Sequence, residues 1–288
     1  MMMNFADLVS RTEIDLSNQG LDDESIDVAP LTASRVLETL IISNNQMTLA
    51  NGRLTLALLT KYSLCHLDLR QNNIGPGGAV NLKDVLLTCH SIRSINLDDN
   101  MIGADGAVEI GLGLLRNRSI HSLSMNRNDI GDGNEAKMLL GSPTLMTLSL
   151  DGNDIGENGA SEIGLGLMSN SVLRRLNLYS NNIGIEGAKY LFSTCGSLET
   201  LSVNDNNLGA NGASMIAHCM ASCHCSLKSV YLKNNSIGDE GTRFLAIVMD
   251  YLEDLYVDGN NIGREGAGEI CRALQSNKSL QTLHLSRN

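Results

Sequence analysis

RRLNLYSNNIGIEGA, residues 174–188, sets Leu176 and Leu178 two apart, then paired asparagines at 181 and 182, then Gly184 and Gly187 three apart. The glycines have the look of a phosphate-cradling turn, and Tyr179 stands among small polar residues as if displayed. The stretch is not unique. It recurs as LCHLDLRQNNIGPGGA from Leu64, IRSINLDDNMIGADGA from Ile92, LMTLSLDGNDIGENGA from Leu145 and LEDLYVDGNNIGREGA from Leu252. The shared frame is L-x-x-L-x-L-x-x-N-x-I-G-x-x-G-A. Its ninth position is held by Asn45, Asn72, Asn100, Asn128, Asn153, Asn181, Asn206, Asn235, Asn260 and Asn288. A weaker first copy has Ile14, Leu16 and Leu21, with Gln19 in place of the asparagine. Residues 1–35 therefore read as an N-terminal segment with an atypical first repeat. Residues 36–288 read as about ten repeats of 25–29 residues. The segments GAVEIGLGLLRN (106–117) and GASEIGLGLMSN (159–170) match closely two repeats apart, so the duplicated unit is a pair.

Each frame position has a physical reading. L-x-L is a short strand with its apolar side chains on one side. The asparagine follows where the chain turns inward, and its amide both donates and accepts, so it can satisfy buried turn groups. The two glycines suit tight turns and close backbone approach. Apolar residues at helical spacing follow, as in Ala160, Ile163 and Leu167. No unit can bury its apolar face alone, so the repeats must stack. Strands on one side and wider helices on the other bend the stack. The expected fold is α/β: a right-handed solenoid, horseshoe-shaped, with parallel strands on the concave face and helices on the convex face.

On these residues the chain resembles the leucine-rich repeat proteins of the ribonuclease-inhibitor-like class. That class includes ribonuclease inhibitor, the repeat domains of NLR receptors and the Ran GTPase-activating protein. The long repeats, the N-x-I-G-x-x-G-A segment and the paired superperiod carry the resemblance over residues 9–288. It implies a non-enzymatic scaffold that grips a protein partner. It also raises two alternatives: a GTPase-activating protein, or the sensing portion of an NLR-like receptor. The chain departs from ribonuclease inhibitor in using asparagine throughout where that protein alternates with cysteine. It lacks the acidic tail of the Ran family, and neither Arg35 nor Arg53 matches that family's functional arginine. Within the chain, Asn134 replaces the second glycine of the frame in the repeat of Asn128, which predicts a local distortion.

Composition narrows the function further. Net charge is −11, which argues against nucleic acid and anionic membrane as partners, and aromatic residues make up only 3% of the chain, so the core is aliphatic. No apolar run reaches membrane-spanning length, and the N-terminus has no signal-peptide core. Seven cysteines, an odd number without an export signal, suit reduced thiols and a cytoplasmic location. No G-K-[ST] follows any glycine pair, so the phosphate-loop reading falls to repetition. HCMASCHC (218–225) crowds cysteine and histidine as a metal cluster would. The repeat frame instead places Ala213, Ile216 and Met220 on the core stripe and leaves Cys219 and Cys223 at the flank, so no metal is assigned. The histidines sit in no catalytic motif, and neither a catalytic site nor a cofactor is assigned.

What remains are the positions that repetition leaves open. Frame positions three, five, seven and eight point away from the core. Tyr179, Tyr231 and Tyr256 all fall there, and the last two share position five in adjacent repeats. Tyrosine favours binding surfaces because it offers a large amphipathic area at low entropic cost. The expected partner-binding residues are these three with Arg175, Lys233, Asp254 and Asp258 as a polar rim. The last strand segment, LQTLHLSRN (280–288), stops at a ladder asparagine with no capping repeat. That raises end-to-end association, or continuation into a longer protein, as a further expectation.

Overall fold

The computed structural model describes residues 8–222 and 226–288. The chain divides into two compact units, Met1–Ile130 with Met138–Ser149, and Gly131–Lys137 with Leu150–Asn288. In both units every repeat contributes a three-residue strand at frame positions three to five, followed in most by a helix.

The first unit contains β1 (Glu13–Asp15), β2 (Thr39–Ile41), β3 (His66–Asp68), β4 (Ser94–Asn96), β5 (Ser122–Ser124) and β6 (Thr147–Ser149). They pair in sequence order, all parallel, with Ile14, Leu40, Leu67, Ile95, Leu123 and Leu148 in line. The second contains β7 (Arg175–Asn177), β8 (Thr200–Ser202), β9 (Ser229–Tyr231), β10 (Asp254–Tyr256) and β11 (Thr282–His284). Here Leu176, Leu201, Val230, Leu255 and Leu283 are in line. The expected class is thus the observed one, an α/β leucine-rich repeat solenoid with parallel strands. Register follows from burial: frame position four is the inward residue of each strand, and a slip of one residue would turn it outward. Leu40, Leu148, Leu176 and Leu201 are wholly buried.

The asparagine ladder works as the sequence suggests. The Asn235 Nδ2 donates to Val203 O (2.8 Å), Leu232 O (3.0 Å) and Lys233 O (3.2 Å). Its Oδ1 accepts from the backbone N–H of Asn206 (3.0 Å) and Leu208 (3.3 Å). One side chain thus closes its own turn and ties it to the turn before. Asn260 repeats the pattern, accepting from Asn235 N (2.8 Å) and Ile237 N (3.3 Å) and donating to Leu232 O (2.8 Å).

A second link between repeats is carried by carboxylates. In three repeats the residue after the first frame glycine is acidic and caps the helix of the next repeat. The Asp239 Oδ1 accepts from Gly263 N and Gly266 N, both at 2.7 Å. The Asp132 Oδ1 accepts from Gly159 N at 2.6 Å, and the Glu157 Oε1 from Ile185 N at 3.0 Å. Side-chain oxygens at a helix start satisfy N–H groups that the helix itself leaves open. The glycine makes room: a Cβ on Gly266 would stand 2.6 Å from the Asp239 Oδ1.

In the first unit Asp23 also links two repeats, holding the turn that precedes the helix Arg53–Leu59 rather than the helix start itself. It accepts from Thr48 N, Leu49 N, Ala50 N and the Thr48 hydroxyl. Burial pushes its pKa up, but these hydrogen bonds outweigh it and hold the carboxyl below 3.8. A depressed folded-state pKa contributes stability above the unfolded value, lost as pH falls through the folded one. We expect Asp23→Asn to lower stability by about 1–3 kcal/mol at neutral pH. The difference from wild type should shrink as urea unfolding is repeated at successively lower pH below 4.

The GLGL segments resolve into helix packing. A Cβ on Gly164, in the helix Glu157–Leu167, would lie 2.8 Å from the Tyr190 Cβ and 2.9 Å from its carbonyl carbon. Backbone cannot yield as a side-chain tip can, so the two helices must separate. Gly164→Ala is therefore expected to lower stability by about 1–2 kcal/mol in urea unfolding, despite the better helix propensity of alanine.

The distortion expected at Asn134 is present. The helix there is only Glu135–Met138, continued by a 3-10 turn, Leu139–Gly141. The expectation for Cys219 needs correction. It does not lie at the flank but is buried in the helix Gly209–Ser222, three residues past Ile216. Its Sγ accepts from the Ser193 hydroxyl at 3.1 Å and donates to Lys189 O at 3.6 Å. Ala213, Ile216 and Met220 are buried as expected. Cys223, His224 and Cys225 lie outside the described residues.

Candidate protein-binding face

The second unit presents frame positions three, five and seven of β7 to β11 on its outer strand face. In-register parallel strands, about 4.8 Å apart, bring equal frame positions side by side. Tyr256 is directly opposite Tyr231 on one side and His284 on the other. The Tyr231 and Tyr256 rings stack with centroids 4.2 Å apart and planes 8° from parallel. The His284 ring stacks on the other face of Tyr256, at 4.5 Å and 24°. Three consecutive repeats thus build one aromatic wall. Each stacked pair contributes about 0.5–1.5 kcal/mol beyond its buried area, which holds the rings in place before any partner arrives.

Polar groups fix the wall on both sides. The Asp254 carboxylate accepts from the Ser229 hydroxyl at 2.7 Å. Hydrogen bonds from Ser229 and then Thr282 lower its pKa, so it is charged at neutral pH. The Tyr231 phenol is pushed up, first by burial, then by its hydrogen bond to Tyr256 and the Asp254 charge; Arg175 pulls the other way. Tyr231 therefore keeps its hydroxyl proton at neutral pH. The Asp258 Oδ1 accepts from Ser286 N at 2.7 Å. Lys233 is anchored by its backbone N–H to the Asn204 Oδ1 at 2.7 Å.

Five of the seven expected residues meet here: Tyr231 and Lys233 on β9 and its extension, with Asp254, Tyr256 and Asp258 on β10 and its extension. Arg175 is on β7 and reaches the group through its electrostatic effect on Tyr231. Tyr179 is 45% exposed and stands apart from the stacked rings, its backbone N–H held by the Asp151 Oδ1 at 2.8 Å. His284, Ser229 and Thr282 join the site without having been singled out in the sequence. The frame carried the signal for His284, which holds position five one repeat after Tyr256.

Among the described residues, no group of three or more His, Cys, Asp or Glu side chains is arranged to hold a metal ion. Among them, too, no helix is long and apolar enough to cross a membrane.

The family model for the Leucine Rich repeat matches residues 63–83, 88–111, 116–133, 141–164, 169–192, 194–217, 223–246 and 250–271, well over half of the chain. Ribonuclease inhibitor from Sus scrofa is 29% identical over 135 residues, which is 44% of this chain and 30% of that protein. Ribonuclease inhibitor from Mus musculus is 30% identical over 114 residues, 38% of this chain and 25% of that protein. The chain thus spans less than a third of the length of these relatives. Among solved structures, the leucine-rich repeat protein LegL7 of Legionella pneumophila shares the fold with a TM-score of 0.65 and 22% identity, over 94% of this chain and 89% of that one. TLR13 in its complex with ssRNA13 aligns with a TM-score of 0.58 and 18% identity, over 90% of this chain and 33% of that one. Eight matched repeats, the asparagine ladder and the ribonuclease inhibitor relatives lead to one assignment: the chain belongs to the leucine-rich repeat family, in its ribonuclease-inhibitor-like class.

Proposed function

We propose that this chain is a non-enzymatic recognition module that binds a protein partner on the outer strand face of its second unit. The observation that carries the reading is the aromatic wall of Tyr231, Tyr256 and His284. Nothing in the repeat requires rings at those positions, since Ser124, Ser149 and Ser202 fill position five elsewhere. Rings stacked face to face present their edges and hydroxyls outward, which suits hydrogen bonding and apolar contact together. Asp254 and Asp258 flank the wall with negative charge, and Lys233 and Arg175 lie toward β7. A partner with basic side chains opposite the two aspartates, on a surface of mixed charge, complements this pattern.

Affinity capture on immobilised wild-type chain, against the Tyr231→Ala/Tyr256→Ala variant, tests the reading. Partners held by the wild type and lost by the variant support it. Equal recovery on both overturns it. Adding the captured partner's class of small GTPase, if one is found, to a GTP-hydrolysis assay tests the non-enzymatic half: a large acceleration at catalytic amounts of this chain would sink it.

A further inference from the structure

The slot three residues before the first frame leucine closes each helix end. It is held by Asn117, Asn170 and Asn277 in three repeats, and by Cys89 and Cys195 in two. Asn117 shows the usual work of that slot. Its Nδ2 donates to Leu86 O at 2.7 Å, and its Oδ1 accepts from Ser119 N and Ile120 N, both at 2.8 Å. These are neutral groups. In the repeat that begins at Leu64 the slot holds Lys61, which is only 4% exposed. Its ammonium donates to Thr32 O at 2.9 Å and Ser34 O at 2.5 Å. An ammonium has three N–H groups, so one is left over. Burying a charge where a neutral amide would serve is costly.

Lys61 lines a cavity of about 550 Å³ with Thr32, Ala33, Ser34, Arg35, Thr60, Tyr62 and Ser63. No acidic residue lines it, in a chain of net charge −11. The hydroxyls of Thr32, Thr60 and Ser63 are already spent on Val28 O, Ala57 O and Leu37 O. Ser34 uses its oxygen as an acceptor from Val36 N, which leaves its proton to give. Arg118, the arginine beside this slot in one other repeat, folds back onto Leu115 O and Asn117 O. Among the described residues Arg35 has no such bond and no ion pair, and the Tyr62 hydroxyl has no protein partner. The cavity therefore gathers two cations and one hydroxyl donor: Lys61 has one N–H left over, Ser34 keeps its proton to give, and Arg35 is exposed at the opening, while Tyr62, 92% exposed, stands at the rim.

We propose that Lys61, Arg35 and Ser34 form a binding site for a small oxyanion, a phosphate or a carboxylate group, with Tyr62 at its rim. Lys61 supplies the buried charge, and Arg35 closes the site from the exposed side with a fork suited to such oxygens. The anion completes the hydrogen bonding of Lys61 and offsets its burial. It does not depend on the strand-face reading above, which involves the other unit.

Thermal unfolding is followed while inorganic phosphate, or separately acetate, is added at constant ionic strength held with chloride. A saturable rise in the wild-type midpoint with either probe supports the site and identifies the class. Arg35→Ala, at an exposed position, should weaken the apparent affinity about tenfold. Lys61→Met should abolish the effect. Burial lowers the pKa of Lys61, so affinity should also fall as pH rises through that lowered value. A midpoint that climbs without saturation, and equally in wild type and Arg35→Ala, reflects exclusion of the salt from the surface and overturns the proposal. No rise with either probe overturns it as well.

Discussion

Tyr231→Ala/Tyr256→Ala is expected to weaken partner binding about 100-fold, on the order of 3 kcal/mol, while the chain loses only about 1–3 kcal/mol of stability with the two ring stacks. The rings stand on the outer face, so no core volume is lost; Val230 and Leu255, the inward residues of the same strands, stay in place. The pair acts as a unit. Removing Tyr256 alone strips both Tyr231 and His284 of their stacking neighbour. The single variant Tyr256→Ala should therefore account for most of the double-variant loss, and the two single losses should not add. Tyr179→Ala, outside the stack, should change affinity far less. Calorimetric titration with the captured partner measures all three. A double variant within threefold of wild type would remove the wall from the binding site.

Asn235→Ala is expected to lower stability by about 3–5 kcal/mol, among the largest effects available to a single polar substitution here. The side chain serves two buried backbone N–H groups and three carbonyls. Its removal strands these groups in a site with no exposed surface. Each unsatisfied group costs about 1–3 kcal/mol before relaxation, and relaxation or an entering water recovers part of the sum. Asn211→Ala, at an exposed position of the helix Gly209–Ser222, is the control and should stay within about 0.5 kcal/mol. Urea unfolding followed by circular dichroism reads both. Because repeats contact mainly their neighbours, hydrogen exchange should show the loss concentrated in the repeats around β8 to β10. A loss below 1 kcal/mol for Asn235→Ala would mean the ladder is decorative.

Much of this architecture is legible in one sequence because it is written many times. Ten ladder asparagines and a leucine every second or third residue of each strand segment determine strand position, register and the inward face. That holds because a stack of near-identical units admits only one way of burying the same face in every unit. The prediction that Tyr231 and Tyr256 are neighbours followed from the frame alone, since equal positions on adjacent parallel strands must meet. That the repeat of Asn128 is locally distorted followed from a departure from the frame, Asn134 in place of the second glycine.

Tertiary structure decided what one repeat does to the next. The frame puts His284 beside Tyr256, but the stacking of its ring on Tyr256, at 4.5 Å and 24°, is seen only in the fold. Asp239, Asp132 and Glu157 read as surface acids until each is seen capping the following helix. The glycines of GLGL read as loose until Gly164 is seen against the Tyr190 backbone. Cys219 moved from flank to core because the helix carries it over the Ile216 stripe, and Lys61 went from an ordinary lysine to a buried cation beside a cavity. The periodicity of a sequence records which side of its own element a residue faces. Where a side chain ends, and whose backbone it reaches, depends on its length, its rotamer and the packing distance between units, and these exist only once the units are stacked.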